Sequence, residues 1–265
     1  MKTSGSLREF PSVSSRFPVG LSIIVYTYPS RNGFENDTER AYLIYFMKLL
    51  LTSGGIINKS IADAFFDLVG KKPEDISLVF IPTASNIEKG NKDWLINDLI
   101  NLKNLNLKEI DIADISAIDK SLWLPRMEEA DVLFFEGGNS YHLMEWLNKS
   151  GLKEILPELL RTKVYVGLSA GSMVTGKDLA LIQSQILYGE DWERKEDMTG
   201  LNFVDFYFFP HLNSPHFNLR KEDVIRDAVK DIDGKVYAMD DNSALKIIDG
   251  EVEIISEGKY LVFNE

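Results

Sequence analysis

The segment from Val164 to Met173 constrains the fold of this 265-residue chain more than any other feature of its sequence. An apolar, β-branched run ends at Gly167-Leu-Ser-Ala-Gly171, and a short helical pattern follows. This order predicts a strand, a sharp turn and a helix, the setting in which G-x-S-x-G presents a nucleophilic serine. The two glycines leave room for the crowded backbone of such a turn. We therefore predict that Ser169 is a nucleophile at the end of a strand.

Strand and helix patterns alternate along the chain after Met47. Strands are predicted at 47–55, 76–82, 108–112, 131–135, 164–167 and 203–209, followed by three short strands around Asp249-Gly250. Helices are predicted at 56–68, 93–102, 120–129, 141–148, 152–161 and 220–229. Such alternation predicts an α/β fold with a mostly parallel sheet and helices on both faces.

Residues 1–46 differ in texture from the rest of the chain. Ser, Pro, Arg and Asn are scattered through them with little sustained period, and the regular pattern begins at the internal Met47. We predict that residues 1–46 are an N-terminal extension outside the fold, and that one α/β domain spans residues 47–265. The alternative is an ordinary N-terminal strand and helix that pack on the domain.

The composition excludes several classes of function. The net charge is −12 and no basic run occurs, which argues against nucleic acid or an anionic membrane surface as a partner. The absence of cysteine excludes disulfides, thiolate metal sites and a cysteine nucleophile. The apolar segment Leu21–Tyr28 is interrupted by Ser and Thr and is not followed by a small-residue cleavage site, which argues against a secretory signal peptide. We expect a cytoplasmic protein, either a monomer or a homodimer.

A serine nucleophile needs a base, and the chain has three histidines. His211 directly follows the apolar segment 203–209, so we expect it to emerge at the carboxyl edge of the sheet, where catalytic groups gather. His216 lies beyond a second proline and is expected on the rim of the site. His142 begins a predicted helix and is a further candidate. The sequence favours His211 as the base.

Two backbone N–H groups are candidates for binding the oxyanion. Gly138 lies in a glycine turn that follows the strand pattern 131–135, and Ala170 directly follows the predicted nucleophile. N–H groups at such turns can point at one developing charge. The alternative for Gly138 is an ordinary turn between a strand and a helix, in which glycine supplies a positive φ.

The carboxylate that would orient the histidine is ambiguous from the residues alone. Asp178 follows the helical pattern after the serine, Glu190 and Asp191 lie further along, and Asp240-Asp241 end a late strand. Any of these could support an imidazolium, and their spacing does not distinguish them.

From Met47 to Glu265 the chain resembles the peptidase family of aspartyl dipeptidase (dipeptidase E), with cyanophycinase as a more distant relative. The resemblance is carried by Leu49-Leu-Leu-Thr-Ser, Gly137-Gly138-Asn139, Gly167-Leu-Ser-Ala-Gly171 and the segment from Leu201 to Pro210-His211. It implies a class I glutamine-amidotransferase-like, flavodoxin-like three-layer fold. It also implies Ser169 as nucleophile, His211 as base, Gly138 and Ala170 as oxyanion donors, and no metal or organic cofactor.

The third catalytic residue departs from the family pattern. An ungapped comparison puts Ser184 where the aspartyl dipeptidases have a triad aspartate. Asp241 falls where an acidic residue of a late strand approaches the family's site. We rank Asp241 and Glu190 equally as candidates, with Asp178 behind them.

The resemblance implies a small peptide as substrate, with Asn139 and Arg220 as candidate binding residues. Arg220 is a candidate for reading an acidic N-terminal side chain, although the segment after His211 is shorter than in the family. We predict a serine-type dipeptidase that acts through an acyl-enzyme. The alternatives are an esterase or acyl hydrolase on the same turn, and a non-catalytic binding module of this fold.

Overall fold

The computed structural model describes residues 47–188 and 199–264. The predicted N-terminal extension, residues 1–46, lies outside the described residues. So does the segment 189–198, which contains Glu190 and Asp191.

The main sheet has seven strands, five of which are parallel. The parallel strands are β1 (Lys48–Thr52), β2 (Ser77–Ile81), β3 (Glu109–Ile112), β4 (Val132–Phe135) and β5 (Val164–Leu168). Two antiparallel strands, β8 (Ser243–Ile248) and β9 (Glu251–Ser256), continue the sheet beyond β1 in the order β3-β2-β4-β5-β1-β8-β9. The prediction of an α/β fold with a mostly parallel sheet is therefore confirmed.

Helices cover both faces of the main sheet. They are α1 (Lys59–Val69), α2 (Thr83–Asn86), α3 (Asp93–Asn104), α4 (Lys120–Glu129), α5 (Ser140–Lys149), α6 (Leu152–Leu159) and α7 (Ala170–Met173). Two more helices, α8 (Leu181–Tyr188) and α9 (Glu222–Ala228), contribute instead to a separate apolar cluster with Phe209 and Val236. Phe134 belongs to the apolar cluster that includes α1, and Phe135 to the cluster that includes α4, α5 and α6. Successive side chains of a strand point to opposite faces, so a strand covered on both faces is apolar throughout.

A second sheet of three strands carries the segment before His211. It contains β6 (Tyr207–Phe209), β7 (Val236–Met239) and β10 (Tyr260–Phe263), in the order β10-β7-β6. The predicted strand at 203–209 is wrong over its first four residues. The N–H of Phe203 donates instead to Thr175 O at 2.8 Å, which uses the backbone in a loop contact. His211 therefore follows the small sheet and not the main parallel one.

Candidate active site

The turn after β5 holds Ser169 in a backbone conformation that few side chains adopt. Ser169 has φ 48° and ψ −104°, and its N–H donates to Thr52 O at 3.0 Å. A Cβ on Gly167 would lie 2.6 Å from the carbonyl carbon of Gly171, and one on Gly171 would lie 2.1 Å from Phe135 O. The turn therefore requires both glycines of the G-x-S-x-G sequence, and the surrounding backbone holds the strained serine in place.

Ser169, His211 and Asp241 lie together at the carboxyl end of β5. His211 Nε2 is 2.9 Å from Ser169 Oγ, and His211 Nδ1 is 2.5 Å from Asp241 Oδ1. The histidine follows β6, with φ 66°, and Asp241 lies in the turn between β7 and β8. Three separate segments of the chain thus bring a hydroxyl, an imidazole and a carboxylate into one continuous hydrogen-bonded line.

Ser53, which follows β1, ties this line to the main sheet. Its hydroxyl oxygen accepts the His211 N–H at 2.7 Å and lies 3.2 Å from Asp241 Oδ1. The next residue, Gly54, packs so closely that a Cβ there would lie 2.8 Å from Asp241 Cβ. The sequence analysis did not assign a role to Ser53. Its place after a buried strand, at the same edge as Ser169, was the available signal.

The electrostatics of the line favour a neutral histidine beside an ionised aspartate. Burial lowers the pKa of His211; Asp241 opposes this, and the positive charges of Arg220 and His216 lower the pKa further. Burial raises the pKa of Asp241, but hydrogen bonds from His211 and Ser53 and the charge of His211 outweigh it, so that this pKa lies below its ordinary value. An imidazole in this state can accept a proton from Ser169.

The glycine turn after β4 lies beside Ser169. A Cβ on Gly137 would lie 3.3 Å from Ser169 Cβ, and one on Gly138 would lie 2.4 Å from Ala84 O. Gly138 has φ 125°, a conformation that favours glycine. Asn139 caps α5, where its Oδ1 accepts the N–H of His142 at 2.8 Å. The turn is packed against Ser169 on one side and α2 on the other.

Arg220 is buried between two aromatic rings close to His211. Its side chain is 3% exposed, and its guanidinium carbon lies 3.7 Å from the ring centroid of Tyr188 and 3.5 Å from that of Phe217. The Phe217 ring is in turn 4.8 Å from the ring of His211. The arginine is thus held near the site by stacking, and its charge acts on the imidazole.

The other polar residues singled out from the sequence lie apart from His211 or have structural contacts. Asp178 accepts hydrogen bonds from Tyr207 OH and from the Ala180 N–H, each at 2.9 Å. The hydroxyl of Ser184 donates to Leu179 O at 2.7 Å. His216 is exposed, and the half-buried His142 lies with its ring centroid 6.3 Å from that of Trp146. Of the candidate carboxylates within the described residues, the structure brings Asp241 to the histidine.

A pair of carboxyl groups, Asp98 and Glu136, adjoins the site and was not identified from the sequence. Glu136 directly follows β4 and is 0% exposed; Asp98 lies on α3 and is partly buried. Burial raises the pKa of Asp98 to about 6; the adjoining Glu136 carboxyl opposes this and the charge of Asp241 reinforces it. Burial and the charge of Asp98 raise the pKa of Glu136 well above its ordinary value. An acidic residue between a buried strand and a Gly-Gly turn was the signal for Glu136, whereas nothing in the sequence pattern marked Asp98.

Two solved structures share the fold of this chain. A candidate peptidase E from Listeria monocytogenes EGD-e is 25% identical, with a TM-score of 0.66 over 80% of this chain and 99% of the other. A peptidase from an acI-B1 Actinobacterium is 20% identical, with a TM-score of 0.61 over 83% of this chain and 92% of the other. The fold is therefore that of the peptidase E structures.

The sequence comparisons identify the family. The model of peptidase family S51 matches residues 49–255, and the chain belongs to that family. The uncharacterized peptidase Lin0382 of Listeria innocua serovar 6a is 29% identical over 66% of this chain and 82% of its own length. A peptidase E of Streptomyces coelicolor is 28% identical over 47% of this chain and 51% of its own length. The protein is thus a peptidase, and its substrate is a peptide.

Two other kinds of site are absent from the described residues. None of the helices within 47–188 and 199–264 is long and apolar enough to cross a membrane. The same residues contain no group of three or more His, Asp or Glu side chains arranged to hold a metal ion.

Proposed function

We propose that this protein is a serine-type peptidase that hydrolyses short peptides through Ser169, His211 and Asp241. The observation that carries the proposal is the line of two contacts, 2.9 Å from Ser169 Oγ to His211 Nε2 and 2.5 Å from His211 Nδ1 to Asp241 Oδ1. A hydroxyl, an imidazole and a carboxylate in this order are the parts of a triad, whatever fold presents them.

In the first step Ser169 Oγ attacks the carbonyl carbon of the scissile peptide bond. His211 Nε2 takes the hydroxyl proton, and its own Nδ1–H donates to Asp241, which holds the tautomer and stabilises the imidazolium. The lowered pKa of His211 keeps the imidazole neutral, and so able to accept this proton, at neutral pH.

The negative charge of the tetrahedral intermediate falls on the carbonyl oxygen. We assign the Ala170 and Gly138 N–H groups as its donors. Ala170 begins a helix, so its N–H has no acceptor within that helix. The Gly138 N–H lies in the peptide bond between Gly137 and Gly138, and Gly137 packs against Ser169. His211 then protonates the leaving amine as the C–N bond breaks. The same imidazole then takes a proton from water as the water oxygen attacks the acyl carbon, and His211 returns that proton to Ser169 Oγ as the bond between the acyl carbon and Oγ breaks.

The buried Arg220 supports a preference for an acidic substrate side chain. Phe217 lies against both Arg220 and His211, and the positive charge of Arg220 lowers the pKa of His211. The same charge would stabilise a negative group beside the imidazole. Asn139 has a weaker claim as a substrate contact, since its side-chain oxygen already caps α5. These steps and contacts use only groups of the protein and water.

Hydrolysis of the dipeptides Asp-Leu, Glu-Leu and Ala-Leu by the wild type and by Ser169→Ala tests the proposal. We expect cleavage by the wild type, fastest for an acidic first residue, and a loss of about 10⁴-fold or more in the variant. Ser184→Ala is the matched control, because it removes another buried hydroxyl and should leave turnover within about threefold. Equal rates for wild type and Ser169→Ala would contradict the proposal.

A fluorophosphonate probe separates the remaining alternatives. Labelling of Ser169 without dipeptide turnover would favour an esterase or acyl hydrolase on the same turn. Failure of Ser169 to react at all would favour a non-catalytic module of this fold.

We also propose that the catalytic domain begins at Met47. The first described strand, β1, starts at Lys48 inside the sheet, between β5 and β8, and the family model starts at residue 49. A chain of residues 47–265 should therefore fold and react with the probe as the full chain does. Loss of folded protein on removal of residues 2–46 would contradict this boundary.

A further inference from the structure

The Asp98–Glu136 pair lies against the same turns that position Ser169. Glu136 directly precedes Gly137, where a Cβ would lie 3.3 Å from Ser169 Cβ. Asp98 Oδ1 lies 3.7 Å from the position of a Cβ on Gly55, in the loop that also carries Ser53. The charge of Asp241 also raises the pKa of Asp98. The pair is therefore a neighbour of the proposed triad and not a remote surface feature.

Glu136 lacks the partners that a buried structural carboxylate needs. Its side chain is 0% exposed, and no donor among residues 47–188 and 199–264 reaches either of its oxygens with hydrogen-bond geometry. The polar groups that act on its pKa are the Asp98 carboxyl and the Gly137 N–H. Burial of a carboxyl group without donors is costly, and such a group in a native protein calls for an explanation.

A structural acid elsewhere in the sheet shows the difference. Asp131, which precedes β4, accepts hydrogen bonds from Lys71 Nζ at 2.7 Å and from the Ser77 N–H at 3.0 Å. Glu136 follows the same strand at its other end. No Lys, Arg or His within the described residues forms an ion pair with Glu136 or Asp98. Asp131 is satisfied within the fold, whereas the pair beside Ser169 has acceptors to spare.

We propose that Asp98 and Glu136 bind the α-ammonium group of the peptide substrate, so that the enzyme cleaves after the first residue. The proposal rests on the peptidase function of Ser169 proposed above. In a peptide cut after its first residue, one carbon separates the ammonium from the attacked carbonyl. The ammonium must therefore lie beside Ser169, as this pair does. An ammonium group carries three donors and a positive charge, which two adjoining carboxyl groups match.

The two carboxyl groups have different parts in this site. Asp98 is partly exposed and can meet the ammonium, while Glu136 lies beneath it, fully buried. With one proton shared between them, the pair carries a single negative charge that balances the ligand. An N-acetylated peptide has neither the charge nor the three donors, and it should therefore bind without help from the pair.

Binding to the Ser169→Ala protein tests the subsite without turnover. We expect calorimetry to show that Ala-Leu binds on the order of 100-fold more tightly than N-acetyl-Ala-Leu, and that Asp98→Asn in the same background removes this ratio. Asp93→Asn is the matched control, because it removes one charge from an exposed position of the same helix and should keep the ratio. Unchanged binding of N-acetyl-Ala-Leu shows that the Asp98 variant is folded.

Glu136→Gln provides a second variant. Its amide can donate to Asp98 and hold it ionised, so we expect the ratio to stay within about tenfold of its original value. Equal binding of the free and acetylated peptides to Ser169→Ala, or an unchanged ratio in Asp98→Asn, would overturn the subsite. Preference for the free amine without turnover by the wild type would leave the subsite standing and contradict the peptidase mechanism instead.

Discussion

Asp241 and Glu136 lie beside the same serine, on the β1 side and the β4 side of β5, and their surroundings differ in one respect. Asp241 receives hydrogen bonds from His211 and Ser53, which with the charge of His211 outweigh its burial and keep its pKa low. Glu136 has no donor with hydrogen-bond geometry within the described residues, so burial and the adjoining Asp98 raise its pKa. The pKa of one carboxyl group is lowered and that of the other is raised, at the two sides of one reacting atom.

The contrast shows how a single sheet edge can supply two kinds of carboxyl chemistry. Both groups follow buried strands, β7 and β4, so the fold alone does not distinguish them. The donors around each group decide whether it supports a cationic imidazole or shares a proton. Environments that push the pKa values of neighbouring acids apart are typical of sites that assign the acids separate roles.

The largest expected effect on activity comes from replacing Asp241, the carboxylate on the β1 side of Ser169. Asp241→Asn should reduce kcat by about 10³–10⁴-fold, because an amide can hold the wrong tautomer of His211 and cannot stabilise an imidazolium. Steady-state kinetics on the fastest dipeptide of the panel measures the loss. Asp178→Asn is the control, since Asp178 bonds Tyr207 and not His211. A similar loss in both variants would remove the distinction between these acids.

Gly137→Ala tests the residue that joins the two sides. The added Cβ would lie 3.0 Å from Leu168 Cδ2 and 3.3 Å from Ser169 Cβ, so the serine or the turn must shift by a few tenths of an ångström. We expect kcat to fall by about 10–100-fold, since catalysis is sensitive to small misplacements. Gly70→Ala is the comparison: no atom lies within 4 Å of its added Cβ, and the strain of its φ of 69° falls at the end of α1, so it should lower stability and leave kcat unchanged. A Gly137→Ala enzyme with wild-type turnover would show that the turn does not constrain Ser169.

The two sides should also separate by pH. His211 must be neutral to act as a base, and its lowered pKa places the acid limb of activity below the usual value of 6.5. A fluorophosphonate carries no ammonium group, so the pH dependence of its reaction with Ser169 should report the titration of His211 alone. Peptide cleavage should show a further loss near the Asp98 pKa of about 6, as protonation of the pair weakens ammonium binding. Identical pH profiles for labelling and cleavage would contradict this separation.

The sequence predicted the sheet and the turn at Ser169 well because those features are local. Val164–Gly167 is apolar on both faces, and the close approach of Gly171 to Phe135 O demands glycine, so pattern and sterics indicated the same turn. The choice of Asp241 required tertiary structure, since the turn after β7 meets His211 only when the small sheet is in place. Asp98 was missed for the same reason, because one acid in the middle of a helix has no pattern of its own.

The smallest expected effect is on stability, and it concerns the β4 side alone. The folded-state pKa of Glu136 is raised, so the folded protein binds more protons than the unfolded chain and loses stability as pH rises through that window. The glutamine of Glu136→Gln cannot ionise, so the variant should not lose the stability that ionisation of Glu136 costs. The loss due to ionisation of Asp98, whose pKa is also raised by Asp241, should remain. We expect the variant to melt about 2–4 °C above the wild type near pH 8 and no higher near pH 5. Glu74→Gln, at an exposed position, should match the wild type at both pH values. A Glu136→Gln protein less stable than the wild type near pH 8 would mean that the Glu136 carboxylate is stabilised within the fold, and would contradict the raised pKa that sets it apart from Asp241.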